Sequence, residues 1–245
     1  MKSYGDFAMI YDRLMHGDIN YERLADYIEN IFTHYGINPN LVWELACGTG
    51  NETIPLAKRG YDMTAVDISE DMLNIAREKS EGLDILYLNQ NMADIDLYGT
   101  MDAFLCMIDG INYVLAPRVL LDTFTKIKRC FMEKDALFIF DISTRYKLKN
   151  TIGKNTFVYP GKDVFYTWQN NYIENKNISD MFLTFFVKEK HGYKRFEERH
   201  LQKAYSVAER RYILKTAGFS KIDTYSYLTF EKPKKNDERI VFVCR

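Results

Sequence analysis

The sequence predicts an α/β fold: a mainly parallel sheet with helices on both faces, plus a small antiparallel β insertion. Three observations predict it. Through residues 37–143 short apolar runs alternate with helical patterns, the signature of βαβ crossovers. Through residues 144–205 the helical stripe vanishes and period-two runs take over. Through residues 206–245 a helix and two strands return, completing the first unit. Residues 1–36 precede all of this as two helices that cap it.

In the second of those helices Leu24, Tyr27, Ile28, Ile31, Phe32 and Tyr35 form one apolar stripe, and Gly36 and Pro39 end it. Leu41–Ala46 reads as a strand and Asn51–Arg59 as a helix. Asp62–Asp67 is a strand and Glu70–Lys79 a helix. Asp84–Leu88 and Asp102–Met107 are strands, a helix follows near Arg118–Met132, and Ala136–Ile142 is a fifth strand. The insertion reads as three strands, Val164–Glu174, Ser179–Lys190 and Arg195–Tyr205, with turns at Asn175–Asn177 and Gly192. Ser206-Val-Ala-Glu209 is a capping box, and its helix closes at Gly218. Lys221–Phe230 and Arg239–Cys244 are the last strands, joined by the charged turn Glu231–Glu238.

Composition narrows the function. The chain has 245 residues, 47% of them apolar, and a formal charge of −1. No global basic field points to nucleic acid. The longest apolar runs fall far below the roughly 20 residues that span a bilayer. Met1–Met9 has no apolar signal core. Cys47, Cys106, Cys130 and Cys244 are scattered without CxxC spacing, so neither a disulfide framework nor a zinc site is expected. A reducing, cytoplasmic setting fits.

The main chemical signal is Glu44-Leu-Ala-Cys-Gly-Thr-Gly-Asn51, where a strand gives way to a helix. Gly48 and Gly50 permit a tight turn and close approach of a ligand. The helix start that follows offers unpaired N–H groups to a carboxylate or phosphate. A plain glycine turn would look the same. The second signal is Asp67 at the end of the next strand, where a carboxylate accepts both hydroxyl protons of a ribose. A helix cap is the competing role, but Ser69 with Glu70 and Asp71 already supplies one. Together the two signals point to a nucleoside-bearing cofactor. A dinucleotide fingerprint would need a third glycine where Thr53 stands.

LACGTGN followed by AVDIS resembles the class I S-adenosylmethionine (SAM)-dependent methyltransferases, and the resemblance spans almost the whole chain. It extends to small-molecule enzymes such as the nucleotide-sugar N,N-dimethyltransferases and related bacterial proteins. Phe7-Ala-Met-Ile-Tyr-Asp12, Asn91-Met92, Met107, Asn112-Tyr113 and Phe196–Tyr205 carry it further. It implies a Rossmann-like seven-stranded methyltransferase sheet, with SAM bound and S-adenosylhomocysteine released. Ala46, Gly48 and Gly50 would line the methionine portion of SAM. Asp67 would hold the ribose, and Ile68 would pack on adenine. Met92 would contact adenine through its N–H, and Met107 would lie near the methionine chain. Asn91 stands where the family usually has an aspartate; its carbonyl accepts from adenine more weakly. Tyr11 resembles a tyrosine that caps the cofactor, and a core aromatic is its other reading.

On the strand reading Phe196, Glu198, His200 and Gln202 share one face. The similar segment of the sugar N-methyltransferases also has a histidine where His200 stands. His200 is thus the candidate general base, or else a sheet histidine paired to Glu198. Trp168, Asn170 and Tyr172 share one strand face in the insertion, as acceptor-pocket walls or as packing. The Lys232–Lys235 run reads as a solvated turn rather than a phosphate site. His191 is expected in solvent, and His16 and His34 show no partner. The expected activity is methyl transfer to N or O of a small-molecule acceptor, with the insertion as lid and no metal. An RNA or protein methyltransferase, or a non-catalytic SAM binder, are the alternatives.

Overall fold

The structure, a computed structural model, describes residues 8, 10, 12 and 19–245. Tyr11, His16 and most of the first expected helix lie outside the described residues.

The first described helix, α1 (Tyr21–His34), starts at Asn20, whose side chain accepts from the Arg23 N–H, and buries Leu24, Tyr27, Ile28, Ile31 and Phe32. It covers a seven-stranded sheet built from β1 (Leu41–Leu45), β2 (Asp62–Asp67), β3 (Ile85–Asn89), β4 (Met101–Cys106), β5 (Met132–Ser143), β10 (Ile222–Ser226) and β11 (Arg239–Cys244). The order is β10-β11-β5-β4-β1-β2-β3. Five neighbouring strands are parallel, and β11 runs antiparallel between β5 and β10. Both faces are covered, so the central strands are apolar on both sides. Alternation sorts them. Trp43, Phe104, Phe138, Phe140 and Phe242 face one core, while Val42, Leu105, Leu137, Ile139 and Val243 face the core under α1.

Three short crossover helices complete this unit: α2 (Thr53–Lys58), α3 (Glu70–Lys79) and α4 (Pro117–Lys126). Ser69 caps α3, accepting from the Met72 N–H. The helix expected near Arg118–Met132 runs on to Phe131: after Lys126 the coil widens into a π-helix over Ile127–Phe131, and β5 begins at once. The last helix, α5 (Val207–Ala217), has the Ser206–Glu209 capping box and ends at Gly218, whose φ of +111° suits glycine alone.

The insertion is a four-stranded antiparallel sheet, β6 (Thr156–Pro160), β7 (Val164–Ile173), β8 (Ile178–Glu189) and β9 (Gly192–Lys203), in that order. Three strands were expected, and β6 is the addition. One end of the sheet packs Phe185, Val164 and Phe196 on Met72 and Ile75 of α3. At the other end Tyr172 and Met181 pack on Leu148 and Ile152. Two terminal boundaries also shift, since β10 closes at Ser226 rather than Phe230 and α2 is shorter than expected. His34, expected to lack a partner, stacks on Phe230 with ring centroids 4.6 Å apart.

Candidate functional site

Strand order reverses between β1 and its neighbours β2 and β4, and ligands bind outside the strand ends at such a point. The backbone there is unusual. Ala46, Gly48 and Gly50 have φ of +55°, +55° and +74°, and Ile108 and Asp109 after β4 have +55° and +54°. Non-glycine residues in this region store strain of about 1–3 kcal/mol each, and such strain collects at binding sites.

The two glycines do different work. A Cβ on Gly48 would meet nothing within 4 Å, so that side of the turn faces open space. A Cβ on Gly50 would stand 2.9 Å from the Tyr87 hydroxyl and 3.2 Å from the Ala76 methyl. Gly50 is therefore needed to seat the turn on α3.

Asp67 locks the turn from the next strand. Its carboxylate accepts from the Gly48 N–H at 2.9 Å and the Ser69 N–H at 2.8 Å. Burial pushes its pKa up against these bonds. Each oxygen keeps a further lone pair for a ligand hydroxyl. Asp67 opens onto a cleft of about 380 Å³ whose lining includes Ala46, Ile68, Asn91, Met92 and Tyr113. Ile68 is 64% exposed at its lip, an apolar surface left for a ring to cover. The Asn91 side-chain oxygen accepts from the Ala93 N–H at 2.9 Å. That bond turns the chain at the cleft floor and leaves one lone pair. Gly48, Gly50 and Met107 are not among the cleft-lining residues. Met107 is buried in the core under α1.

Sequence reasoning missed a group of buried charges beside this turn. Glu44, on β1, accepts from the Thr53 hydroxyl at 2.5 Å. Burial pushes its carboxyl up to about 8, with Thr53 opposing and Asp67 adding to the rise. Glu52 is 3% exposed, and burial, Glu44 and Asp141 push it well up. Asp141, fully buried on β5, accepts from the Ile108 and Asp109 N–H groups and from Arg239 at 2.8 and 2.9 Å. Arg239 also reaches Asp109 at 2.5 Å. Burial opposes ionisation of Asp109, but Arg239, Lys147 and Gln202 outweigh it and hold its pKa low. The one local signal was an acid inside the apolar run Ala136–Ile142.

A pH dependence follows from Glu44. Between about 4.5 and about 8 it is ionised in the unfolded chain and protonated in the folded one. The folded state then binds more protons, so its stability falls as pH rises through that window. The ligand-free protein should melt progressively lower from pH 5 to pH 8, and Glu44→Gln should flatten the slope. Equal slopes for both proteins would remove Glu44 as the cause.

Two segments close on the site. Asp12 accepts from the Thr49 hydroxyl at 2.6 Å and from Lys79 at 2.7 Å, and Lys79 also donates to the Thr49 carbonyl and to Asn51. On the other side stands the inner face of β9. Gln202 donates to Asp109 at 2.6 Å. His200 Nδ1 lies 3.3 Å from the hydroxyl oxygen of Tyr113, a cleft residue. Burial pushes the His200 pKa down, favouring neutral imidazole. Trp168 and Tyr172 pack with Leu148 and Met181. Lys234 pairs with Glu231 in an exposed turn. His191 is exposed, and the described residues hold no metal-binding group of His, Cys, Asp or Glu.

Asp67→Ala should weaken cofactor binding by about 1.5–3 kcal/mol, the range for hydrogen bonds to a charged group. Calorimetry with SAM reads this directly. Unchanged affinity with a collapsed melting point would make Asp67 purely structural.

The arrangement fits SAM on two counts. Open space lies at Gly48, and a doubly anchored carboxylate stands at the cleft. Comparison with known proteins agrees. The methyltransferase-domain family matches residues 42–133. Bacillus subtilis (strain 168) YqeM, whose name assigns it to the methyltransferases without an acceptor, is 32% identical over 98% of this chain and 95% of its own. A SAM-dependent methyltransferase of Clostridium acetobutylicum ATCC 824 superposes with a TM-score of 0.90 at 31% identity, covering 99% of this chain and 98% of its own. The sugar N-methyltransferase KedS8 of Streptoalloteichus sp. ATCC 53650 shares the fold, with a TM-score of 0.78 at 17% identity over 96% of this chain and 91% of its own. This chain belongs to the SAM-dependent methyltransferases.

Proposed function

We propose that the protein methylates nitrogen or oxygen of a small-molecule acceptor in the cytoplasm. The observation that carries this reading is the second sheet, which stands over the strand ends through the Gln202–Asp109 hydrogen bond and an apolar cluster shared with Met72 of α3. A sheet standing there crowds a flat RNA or protein surface away from the strand ends. The balanced charge and the fold shared with a sugar N-methyltransferase support the same reading. No described helix is long and apolar enough to cross a membrane.

SAM supplies, when bound, a methyl group on a positive sulfur that leaves as a neutral thioether. The chain's task is to orient, exclude water and handle one proton. Asp67 holds the ribose hydroxyls. Ile68, Asn91 and Met92 take the adenine. Ala46, Gly48 and Gly50 form the turn along the methionine portion, backed by Met107. By the resemblance, Tyr11 would cap the cofactor. His200 receives a proton from the acceptor, with Tyr113 holding its ring through Nδ1.

Incubation with methyl-labelled SAM and either a metabolite extract or an RNA pool tests the reading. Label should enter the small-molecule fraction. Label in RNA alone, or in neither, would sink it.

A further inference from the structure

We propose that Lys79 is a positioning residue for the methyl donor: its ammonium fixes the backbone of the glycine turn that runs along the donor's methionine portion. The proposal rests on the reading above that the turn through residues 46–50 meets that portion.

Lys79 closes α3, where a lysine ordinarily serves the last carbonyls of its own helix. Here that duty is taken. Ser80 donates to the Ala76 carbonyl through its N–H at 3.0 Å and through its hydroxyl at 2.8 Å. The Lys79 ammonium instead donates to the Thr49 carbonyl at 3.1 Å, to the Asp12 carboxylate at 2.7 Å and to the Asn51 side-chain oxygen. An ammonium has three donors. All three are spent on the turn and on the segment beside it.

The turn needs such a hold. Gly48 and Gly50 both have positive φ, and the freedom of glycine there lets the peptides between them rotate. Each pinned atom removes one way of rotating. Asp67 takes the Gly48 N–H at 2.9 Å. The Cys47 carbonyl takes the Gly50 N–H at 3.0 Å. The oxygen of that same Thr49–Gly50 peptide accepts from Lys79. Lys79 therefore fixes the end of the peptide that Cys47 does not. Methionine at position 79 would fill the space and leave that oxygen without the ammonium.

Asp12 holds the ammonium from the other side and also accepts from the Thr49 hydroxyl at 2.6 Å. Burial opposes its ionisation, but Lys79, Thr49 and Asn51 outweigh it and hold its pKa low. Ala8 and Ile10 of the same segment are buried with Met72 of α3 and with Val164 and Phe185 of the second sheet. Packing thus seats this carboxylate as well as charge. With 26% of its side chain exposed, Lys79 gains little net stability from the ion pair. What the pair supplies is direction: the ammonium stands between a seated carboxylate and the turn.

Calorimetry with two ligands tests this. S-adenosylhomocysteine carries the whole methionine portion of the donor. 5′-Methylthioadenosine keeps the adenosine and the sulfur but lacks the amino and carboxyl groups. Lys79→Met should weaken S-adenosylhomocysteine about 10–100-fold, the range for a hydrogen bond to a charged group. Methylthioadenosine affinity and melting temperature should stay close to the parent's. Asp12→Asn keeps an oxygen for the Thr49 hydroxyl and removes the charge. It should show the same split between the ligands at smaller size, and it decides the matter should Lys79→Met fail to fold. Equal loss for both ligands would make the ion pair a general prop of the fold, and no loss for either would show that the turn holds itself. Both outcomes overturn the proposal. A parent that binds methylthioadenosine as tightly as S-adenosylhomocysteine overturns the reading that the turn meets the methionine portion, and this proposal with it.

Discussion

Arg239→Ala is expected to destabilise the protein by about 3–5 kcal/mol, the cost of breaking a buried ion pair from one side. The loss leaves two carboxylates facing each other at the ends of β4 and β5. Asp141 is fully buried, and Asp109 shows 16% of its side chain. No other described side chain donates a hydrogen bond to Asp141. The damage should reach the site, because Asp141 also holds the Ile108 and Asp109 N–H groups and so the strained turn after β4. Acid should shift the balance. In the parent, Asp109 titrates below its usual range, so its contribution exists above the unfolded pKa and fades as pH falls through the folded one. In the variant that favourable shift is gone, and protonation relieves the repulsion, so the gap between the two proteins should narrow toward pH 4. Urea melts at both pH values measure this. Adding Asp141→Asn to Arg239→Ala should recover part of the loss. A variant that melts like the parent at neutral pH would show that the cluster carries little net energy.

His200→Ala is expected to lower turnover by about 10²–10⁴-fold while SAM affinity stays nearly intact. The range equals roughly 2.7–5.5 kcal/mol of transition-state free energy. His200 does not line the cleft, but it contacts Tyr113, which does. Its lowered pKa leaves the ring neutral and able to accept a proton at pH 7. The pH profile should therefore fall in acid with a midpoint below the ordinary histidine value. The His200→Ala defect should persist at high acceptor concentration. A small loss of turnover, or an equal loss of SAM binding, would return His200 to the role of a sheet residue.

Where caps and burial coincide locally, the sequence was legible. Asp62–Asp67, Glu70–Lys79 and Arg239–Cys244 stand at their expected bounds, because Ser69 marks one start and the strands are apolar almost from end to end. β6 was invisible for the opposite reason. All five of its residues are exposed, so no alternation marks it, and Pro160 argues against a strand. The glycine turn and Asp67 were legible because their spacing is itself the motif. The Asp109–Arg239–Asp141 cluster was not, since its members are brought together only by strand order. Arg239 and Asp141 are partners 98 residues apart.

Asn112 has a consequence for how such an enzyme diversifies. Its fully buried amide donates to the carbonyls of Ser143 and Lys203 at 2.9 and 3.0 Å and accepts from the Ser143 N–H at 3.0 Å. Ser143 is where the chain leaves the main sheet, and Lys203 is where the inserted sheet ends. One side chain therefore clasps the departure and the return of the whole insertion. A segment whose two ends already meet adds little closure entropy when it grows, shrinks or is exchanged. The half of the molecule that carries the glycine turn need not be retuned when the other half changes. Evolution, or a protein engineer, can thus exchange the stretch between positions 143 and 203 as a cassette, provided the asparagine at 112 is kept.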